Sequence, residues 1–354
     1  MQPTPVTRRL GIQHPLILAP LAGGPSTPAL AAAVSEAGGL GSYGAAYLPL
    51  AKLREEIRAI RARTARPFAV NLFADEGAEA DAATLKAAQA QVAKYRAALG
   101  LPEPGPPPPP VPLADAFTVI LEEKVPVFSF TFGIPPAGML LACRDAGIAT
   151  MGTATSVAEA RALEAAGVDL VCAQGAEAGG HRGTFDRDAD PPLIGTMALV
   201  PQCVDAVRVP VVAAGGIMDG RGFAAALALG AGAVSLGTAF LRCPEAGTSA
   251  PYREALKQAR DDSTVITRAF SGRAARGLAN RFTREMAGAT LAPYVVQNSL
   301  TREIRAAATR AGDSGLLSLW AGQAAALARD LPAAEVVAQV LAEADAVLAR
   351  LASR

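Results

Sequence analysis

Between Pro15 and Thr238 the chain alternates eight times between a short β-rich run and an Ala-rich helical stretch. That rhythm restricts it to an α/β fold on a parallel sheet, because each strand must be followed by a crossover before it can pair in parallel with the next. The β-rich runs are residues 15–20, 40–44, 68–73, 125–132, 148–152, 169–174, 209–216 and 233–238. Helices are expected over 27–37, 50–63, 81–98, 113–123, 136–147, 194–207 and 219–230, with another capped by Thr155 or Ser156 and carrying Glu159 in its first turn. Eight such units in about 225 residues match the size of a (β/α)8 (TIM) barrel. A doubly wound open sheet would need a reversal of strand order, which no sequence reveals. Eight regular units followed by a distinct segment favour the barrel.

The rhythm stops after strand eight. The expected organisation is a TIM barrel over 1–241, a smaller, mostly helical cap domain over 242–320 inserted after strand eight, and a C-terminal segment, 321–354. In that last segment a helix over 333–351 has apolar positions at helical spacing and packs back on the barrel. One interruption falls earlier. The run 101–112 is so rich in proline that it must be extended polyproline II, a stiff surface spacer, with a docking ligand as the alternative.

Composition removes several classes of function. With 354 residues, 51% hydrophobic and 18% charged, the chain can bury a large core and lies outside the disordered range. Its formal net charge is +1 and no Lys/Arg-dense stretch carries interleaved aromatics, which argues against nucleic acid as a partner. The first apolar run is too short to span a membrane and lacks the form of a signal peptide. Four cysteines, Cys143, Cys172, Cys203 and Cys243, lie far apart without CxxC spacing and read as reduced, buried thiols. A cytoplasmic protein is expected, with a homodimer left open.

Two constellations carry chemistry. The first is Ala213-Ala-Gly-Gly-Ile-Met-Asp-Gly220 followed by Ser235-Leu-Gly-Thr238. In TIM barrels a phosphate commonly binds at the loops after strands seven and eight, where backbone amides and a helix N-terminus point at the anion. Side chains would block that approach, so Gly215, Gly216 and Gly237 make chemical sense, and Thr238 can add a hydroxyl donor. The plain alternative is a pair of tight turns that bind nothing. The second is Ala173-Gln-Gly-Ala-Glu-Ala-Gly-Gly-His-Arg-Gly183 at the C-terminal end of strand six, where such barrels build their active sites.

Histidine is scarce in this chain, with only His14 and His181. His181 sits among glycines on a loop, where an imidazole can exchange a proton near neutral pH or bond a bound anion. No second His or Cys stands at ligand spacing on that loop, and Glu177 is its sole carboxylate, so no metal is expected. His14 precedes strand one and reads as structural. Gln174 can donate and accept toward a ring edge, and Ala19, Pro20 and Leu21 can lie along a planar ring. Asn71 is an amide inside an apolar run and needs a hydrogen-bond partner. Arg273 and Arg276, beside Ser271, can close on an anionic substrate or a phosphate, or pair with nearby acids.

These residues together resemble the nitronate monooxygenases, formerly called 2-nitropropane dioxygenases. The likeness is carried by Pro20 with its small neighbours, Asn71-Leu-Phe73, Ser129-Phe-Thr-Phe-Gly133, the 173–183 loop, the 213–222 loop and Gly237-Thr238, and spans residues 15–323. The Glu-Ala-Gly-Gly-His-Arg-Gly run is its specific part and looks like the class I branch. The resemblance implies non-covalent FMN lined by Ala19, Pro20, Leu21, Asn71, Gln174, Gly179, Gly216, Gly237 and Thr238. It implies an alkyl nitronate such as propionate 3-nitronate as a small anionic substrate, and O2 as oxidant. His181 would hold the nitronate or remove an α-proton from a nitroalkane. The proline run has no place in the family pattern, and the pocket residues of the cap do not align.

Three other readings stay open: an FMN-dependent NAD(P)H reductase of quinones or enoyl thioesters, a flavin-free phosphate-binding lyase or isomerase, and a barrel that binds without catalysis. The lyase reading suffers from the lack of a lysine at a strand end.

Overall fold

The computed structural model describes residues 3–105 and 110–353. Eight parallel strands form its centre: β1 (Leu16–Leu18), β2 (Gly41–Gly44), β3 (Phe68–Phe73), β4 (Val127–Thr131), β5 (Ala149–Ala154), β6 (Leu170–Gln174), β8 (Val211–Ala214) and β9 (Ala233–Leu236). A two-residue strand, β7 (Gly180–His181), lies outside them, so the seventh and eighth barrel strands are β8 and β9. Each strand pairs with its neighbour in sequence, from β2 through β6 to β8 and β9, and β9 pairs with β1. The ring closes where Leu40 meets β1: Leu18 N donates to Leu40 O and Leu40 N to Leu16 O, both at 2.9 Å. The chain is therefore a closed TIM barrel rather than an open sheet.

Strand alternation sorts the side chains. One set of residues, including Val34, Phe128, Leu163, Val171 and Leu236, packs between strands and helices. The other set, including Ile17, Ala69, Met151, Cys172 and Val212, fills the barrel interior. Helix α1 (Pro5–Leu10) contributes Val6 and Leu10 to this inner cluster and so plugs the barrel at the N-terminal ends of the strands. With that end filled, the open space lies at the C-terminal ends, where interior positions turn polar: Asn71, Thr131, Thr153 and Gln174.

The outer ring departs from the sequence expectation at one place. The helix expected to serve β3, α4 (Ala82–Ala98), leaves the barrel. Its Val92 and Tyr95 join a separate core with Phe270, Phe282 and Ile304, and Arg96 pairs with Glu303 at 2.7 Å. The barrel helix after β3 is instead α5 (Leu113–Glu122), whose Phe117 and Ile120 are in the main core. Its C-cap residue, Glu123, is held by Arg54 and Arg58 of α3 (Leu50–Arg61) at 2.9 and 2.8 Å. Between α4 and α5 the chain thus passes from this separate core back to the barrel. Residues 106–109 of the expected polyproline spacer lie outside the described residues, and those beside them, 101–105 and 110–112, carry neither helix nor strand.

The segment after β9 is not all helix. Strands β10 (Thr264–Thr267) and β11 (Ala275–Leu278) form an antiparallel hairpin, and β11 pairs with β7. Around it lie α10 (Ala250–Lys257), α11 (Arg281–Glu285) and α12 (Val296–Ala311). The last helix, α13 (Ala333–Ala352), packs against α9 (Gly220–Ala228) and α2 (Pro28–Glu36) and fills the eighth helical position of the ring. Gly220 allows that contact, since a Cβ there would lie 2.2 Å from Ala344 N.

Candidate active site

A cavity of about 520 Å3 opens over the C-terminal ends of the strands, beneath the cap. Of the residues expected from sequence to build the site, Ala19, Pro20, Leu21, Asn71, Gln174, Gly179, His181, Gly215, Gly216, Gly237 and Thr238 line it, whereas Arg273 and Arg276 do not. His14 lies outside it. The strands present these groups because interior positions recur every second residue, so that Asn71 follows Ala69 and Gln174 follows Cys172 on one face. Asn71, 2% exposed, donates to Ser129 Oγ at 3.1 Å, so its carboxamide is only partly satisfied within the protein. Cys172 also lines the cavity, and burial pushes its thiol up to about 12, so it stays protonated.

One side of the cavity is a glycine cradle. Gly215 and Gly216 have φ of +118° and +70°, and a Cβ on Gly215 would lie 2.9 Å from Thr196 Oγ1. Gly237 differs: a Cβ there meets nothing closer than Ala19 Cβ and Leu21 Cδ2 at 3.4 Å, so no protein atom demands glycine. Its smallness leaves open space on the cavity side. Among the described residues, the amides of Gly216, Ile217 and Gly237 donate to no protein acceptor. Thr238 Oγ1 accepts from Gly322 N at 3.0 Å, which leaves its hydroxyl hydrogen to donate. Converging free donors of this kind form an anion site. Glu177, next to the cradle, is committed elsewhere: its carboxylate accepts from Thr196 N and Thr196 Oγ1 at the start of α8 (Thr196–Ala206).

The opposite side holds His181. Its loop is pinned from below. Gln174 Nε2 donates to His181 O at 3.0 Å, and Gly183 N donates to Gln174 Oε1 at 2.8 Å. Both ends of the Gln174 carboxamide thus serve the loop, whereas the sequence reading aimed them at a ring edge. Arg182, 1% exposed, donates to Gly175 O and Gln174 O, and β11 pairs with β7 to fix the backbone from above. The imidazole stands in an aromatic box, with ring centroids of Trp320, Phe132, Tyr294 and Phe73 at 5.4, 5.7, 6.0 and 6.3 Å. Its Nε2 lies 2.8 Å from Ser271 Oγ. Burial, reinforced by Arg273 and Arg305, lowers its pKa to about 3, so the ring is neutral across the physiological range.

The cations at the cavity are not those the sequence singled out. Arg273 pairs with Asp75 at 2.7 Å and lies 3.8 Å from the Phe132 ring centroid. Arg276 donates to Ala176 O and Thr264 Oγ1. Neither lines the cavity. Asn298, Arg302, Arg305 and Thr309, on one face of α12, do. Among the described residues neither Arg302 nor Arg305 has a carboxylate partner; Arg305 donates to Asn298 Oδ1 at 2.8 Å and Asn298 O at 3.0 Å. Burial holds the Arg305 guanidinium down at about 10. The signal was in the sequence, as polar residues spaced i, i+4, i+7, i+11, but helical spacing alone does not say which face meets a cavity.

A closed barrel, a glycine cradle with free amides after its last two strands and a neutral imidazole near the arginines of α12 point to a small-molecule enzyme of the TIM-barrel class. The nitronate monooxygenase family pattern matches residues 4–343, and the chain belongs to that family, as an oxidoreductase. A probable nitronate monooxygenase of Staphylococcus aureus is 41% identical over 347 residues, covering 97% of this chain and 98% of the relative. A nitroalkane oxidase from Streptomyces ansochromogenes superposes with a TM-score of 0.92 at 42% identity, covering 98% of this chain and all of that one. FabK from Thermotoga maritima is similar at a TM-score of 0.76 and 32% identity, covering 100% and 99%.

Proposed function

We propose that the protein holds FMN and oxidises alkyl nitronates, such as propionate 3-nitronate, with O2, giving a carbonyl compound and nitrite or nitrate. The observation that carries this reading is the single cavity in which an anion cradle, a neutral imidazole in an aromatic box and two arginines without acid partners converge. The free amides of Gly216, Ile217 and Gly237 and the Thr238 hydroxyl suit the FMN phosphate. Ala19, Pro20 and Leu21, the partly satisfied Asn71, Gly179 and Gly215 would line the rest of the cofactor, with Gln174 acting through the loop it holds. When bound, FMN supplies the electron transfer to oxygen that no side chain offers. The protein's own share is to attract the anion through Arg302 and Arg305, to exclude water with Phe73, Phe132, Tyr294 and Trp320, and to set His181 at the substrate.

The test is direct. The purified protein should be yellow and release FMN on denaturation. It should take up oxygen with propionate 3-nitronate and consume no NADH. A colourless protein that cannot take up FMN would sink the cofactor assignment. Rapid anaerobic bleaching by NADH would overturn the nitronate reading in favour of an NAD(P)H-dependent reductase.

A further inference from the structure

The hydroxyl of Ser271 has one hydrogen and two lone pairs, and three groups surround it in the protein. His181 Nε2 lies at 2.8 Å, Arg273 O at 3.1 Å and Arg273 N at 3.3 Å. The Arg273 amide can only donate. The Arg273 carbonyl, on a residue 2% exposed, accepts no other hydrogen bond among the described residues, so the serine hydrogen belongs to it. The remaining lone pair of Ser271 then needs a donor, and His181 Nε2–H is the group in place. Were the serine to donate to Nε2 instead, the buried carbonyl would be left unpaired. Among the described residues His181 Nδ1 has no hydrogen-bond partner, and it is not sealed away in the interior. His181 itself lines the cavity.

We propose that Ser271 is a positioning residue that fixes His181 as the Nε2–H tautomer, so that the Nδ1 lone pair faces the ligand. The role in catalysis rests on the reading of His181 as the residue at the substrate; the tautomer itself does not. A lone pair there accepts a hydrogen bond or a proton and donates nothing to an anion. The negative oxygens of a nitronate therefore fall to Arg302 and Arg305. Two further polar groups lie at this pair, Tyr294 beside the ring and Arg273 beside the serine, and the Arg305 charge also acts on the imidazole; among the described residues none of them bonds Nε2.

The chain has only two histidines, so the holoenzyme labelled with 15N-histidine shows two imidazoles, and His181→Gln identifies which is which. At neutral pH the long-range proton–nitrogen spectrum should show Nε2 of His181 carrying the hydrogen and Nδ1 without one. The reverse pattern overturns the proposal, with no mutation needed. Ser271→Ala should give mixed tautomers and, with a neutral nitroalkane whose α-proton Nδ1 would accept, lower kcat by about tenfold or more with little change in KM. Ser271→Thr, which keeps the hydroxyl, should restore both signals. A Ser271→Ala enzyme that keeps Nε2–H and wild-type kcat also overturns the proposal. If that variant does not fold, the wild-type spectrum and Ser271→Thr decide. If no nitronate is oxidised while Nε2–H is seen, the tautomer stands and the functional reading falls.

Discussion

The neutral state of His181 can be measured as stability. Its pKa is about 3 in the folded protein, where burial and then the Arg273 and Arg305 charges oppose protonation, against an ordinary value of 6.5. The sign follows from proton counting. Between those two values the unfolded chain binds a proton at this residue and the folded chain does not, so this contribution to stability is complete above pH 6.5 and is lost as pH falls. Each pH unit is worth about 1.36 kcal/mol, so near pH 4.5 the loss from this one residue is about 2–3 kcal/mol. Carboxylates and His14 titrate over the same range and would mask it. The comparison with His181→Gln removes them, because they titrate in both proteins. Chemical denaturation near pH 7.5 and again near pH 4.5 should show the wild type losing about 2–3 kcal/mol more than the variant. If the two proteins lose stability in parallel, within about 0.5 kcal/mol, the imidazole is not held neutral and the electrostatic picture of the cavity fails.

Two further outcomes follow from the charges around the cavity. Asp75 accepts from Arg273 and Arg187, both at 2.7 Å, with the first pair almost wholly buried. Asp75→Asn leaves Arg273 uncompensated at about 3 kcal/mol. For a chain of 354 residues that is a fall of about 4 °C in Tm. The partly exposed partner serves as control, and Arg187→Gln should cost about 1 kcal/mol or less; equal losses in differential scanning would remove Asp75 as the hub. Arg305→Met should raise KM for propionate 3-nitronate about tenfold, the lower end of what losing one half-buried charge partner costs. An oxygen electrode reads this, and an unchanged KM would place substrate recognition elsewhere.

The barrel was legible because its signals are local. Eight strand-to-helix alternations, with glycines closing the helices at Gly147 and Gly230, settle element type without knowledge of the fold. The place of the glycine cradle was legible for a related reason: the ends of the last two barrel strands are fixed by order, so Gly215, Gly216, Gly237 and Thr238 could be expected at the cavity. Helix α4 was not legible as a cap element. Its residues have ordinary helical spacing, and distant contacts such as Tyr95 meeting Phe282, with ring centroids 4.8 Å apart, show which core it joins. The same limit hid Arg305 and favoured Arg273 and Arg276. All three are arginines in polar surroundings, and what separates them is a carboxylate or carbonyl partner from far away in sequence, such as Asp75 for Arg273. Gln174 shows the limit at one residue. Its place at a strand end was readable, but the commitment of both carboxamide ends to the loop was not.

Arg305 of α12 ties the attraction of anions to the neutrality of His181. A cation near the cavity draws in a negative substrate and, by the same field, disfavours a proton on the imidazole. A solvent-exposed histidine with no nearby cations would sit close to its ordinary pKa and be partly protonated at neutral pH. Here burial sets the direction, and Arg273 and Arg305 add to it. Removing Arg305 therefore acts twice: it weakens the hold on an anion and relaxes the imidazole toward protonation. These effects oppose each other for a substrate whose negative charge could then pair with an imidazolium. The two can be separated only by following KM and the His181 nitrogen signals in the same variant. A rise in KM without any change at the nitrogens would mean that Arg305 acts on the ligand alone, and that burial by the aromatic box suffices to keep the histidine neutral.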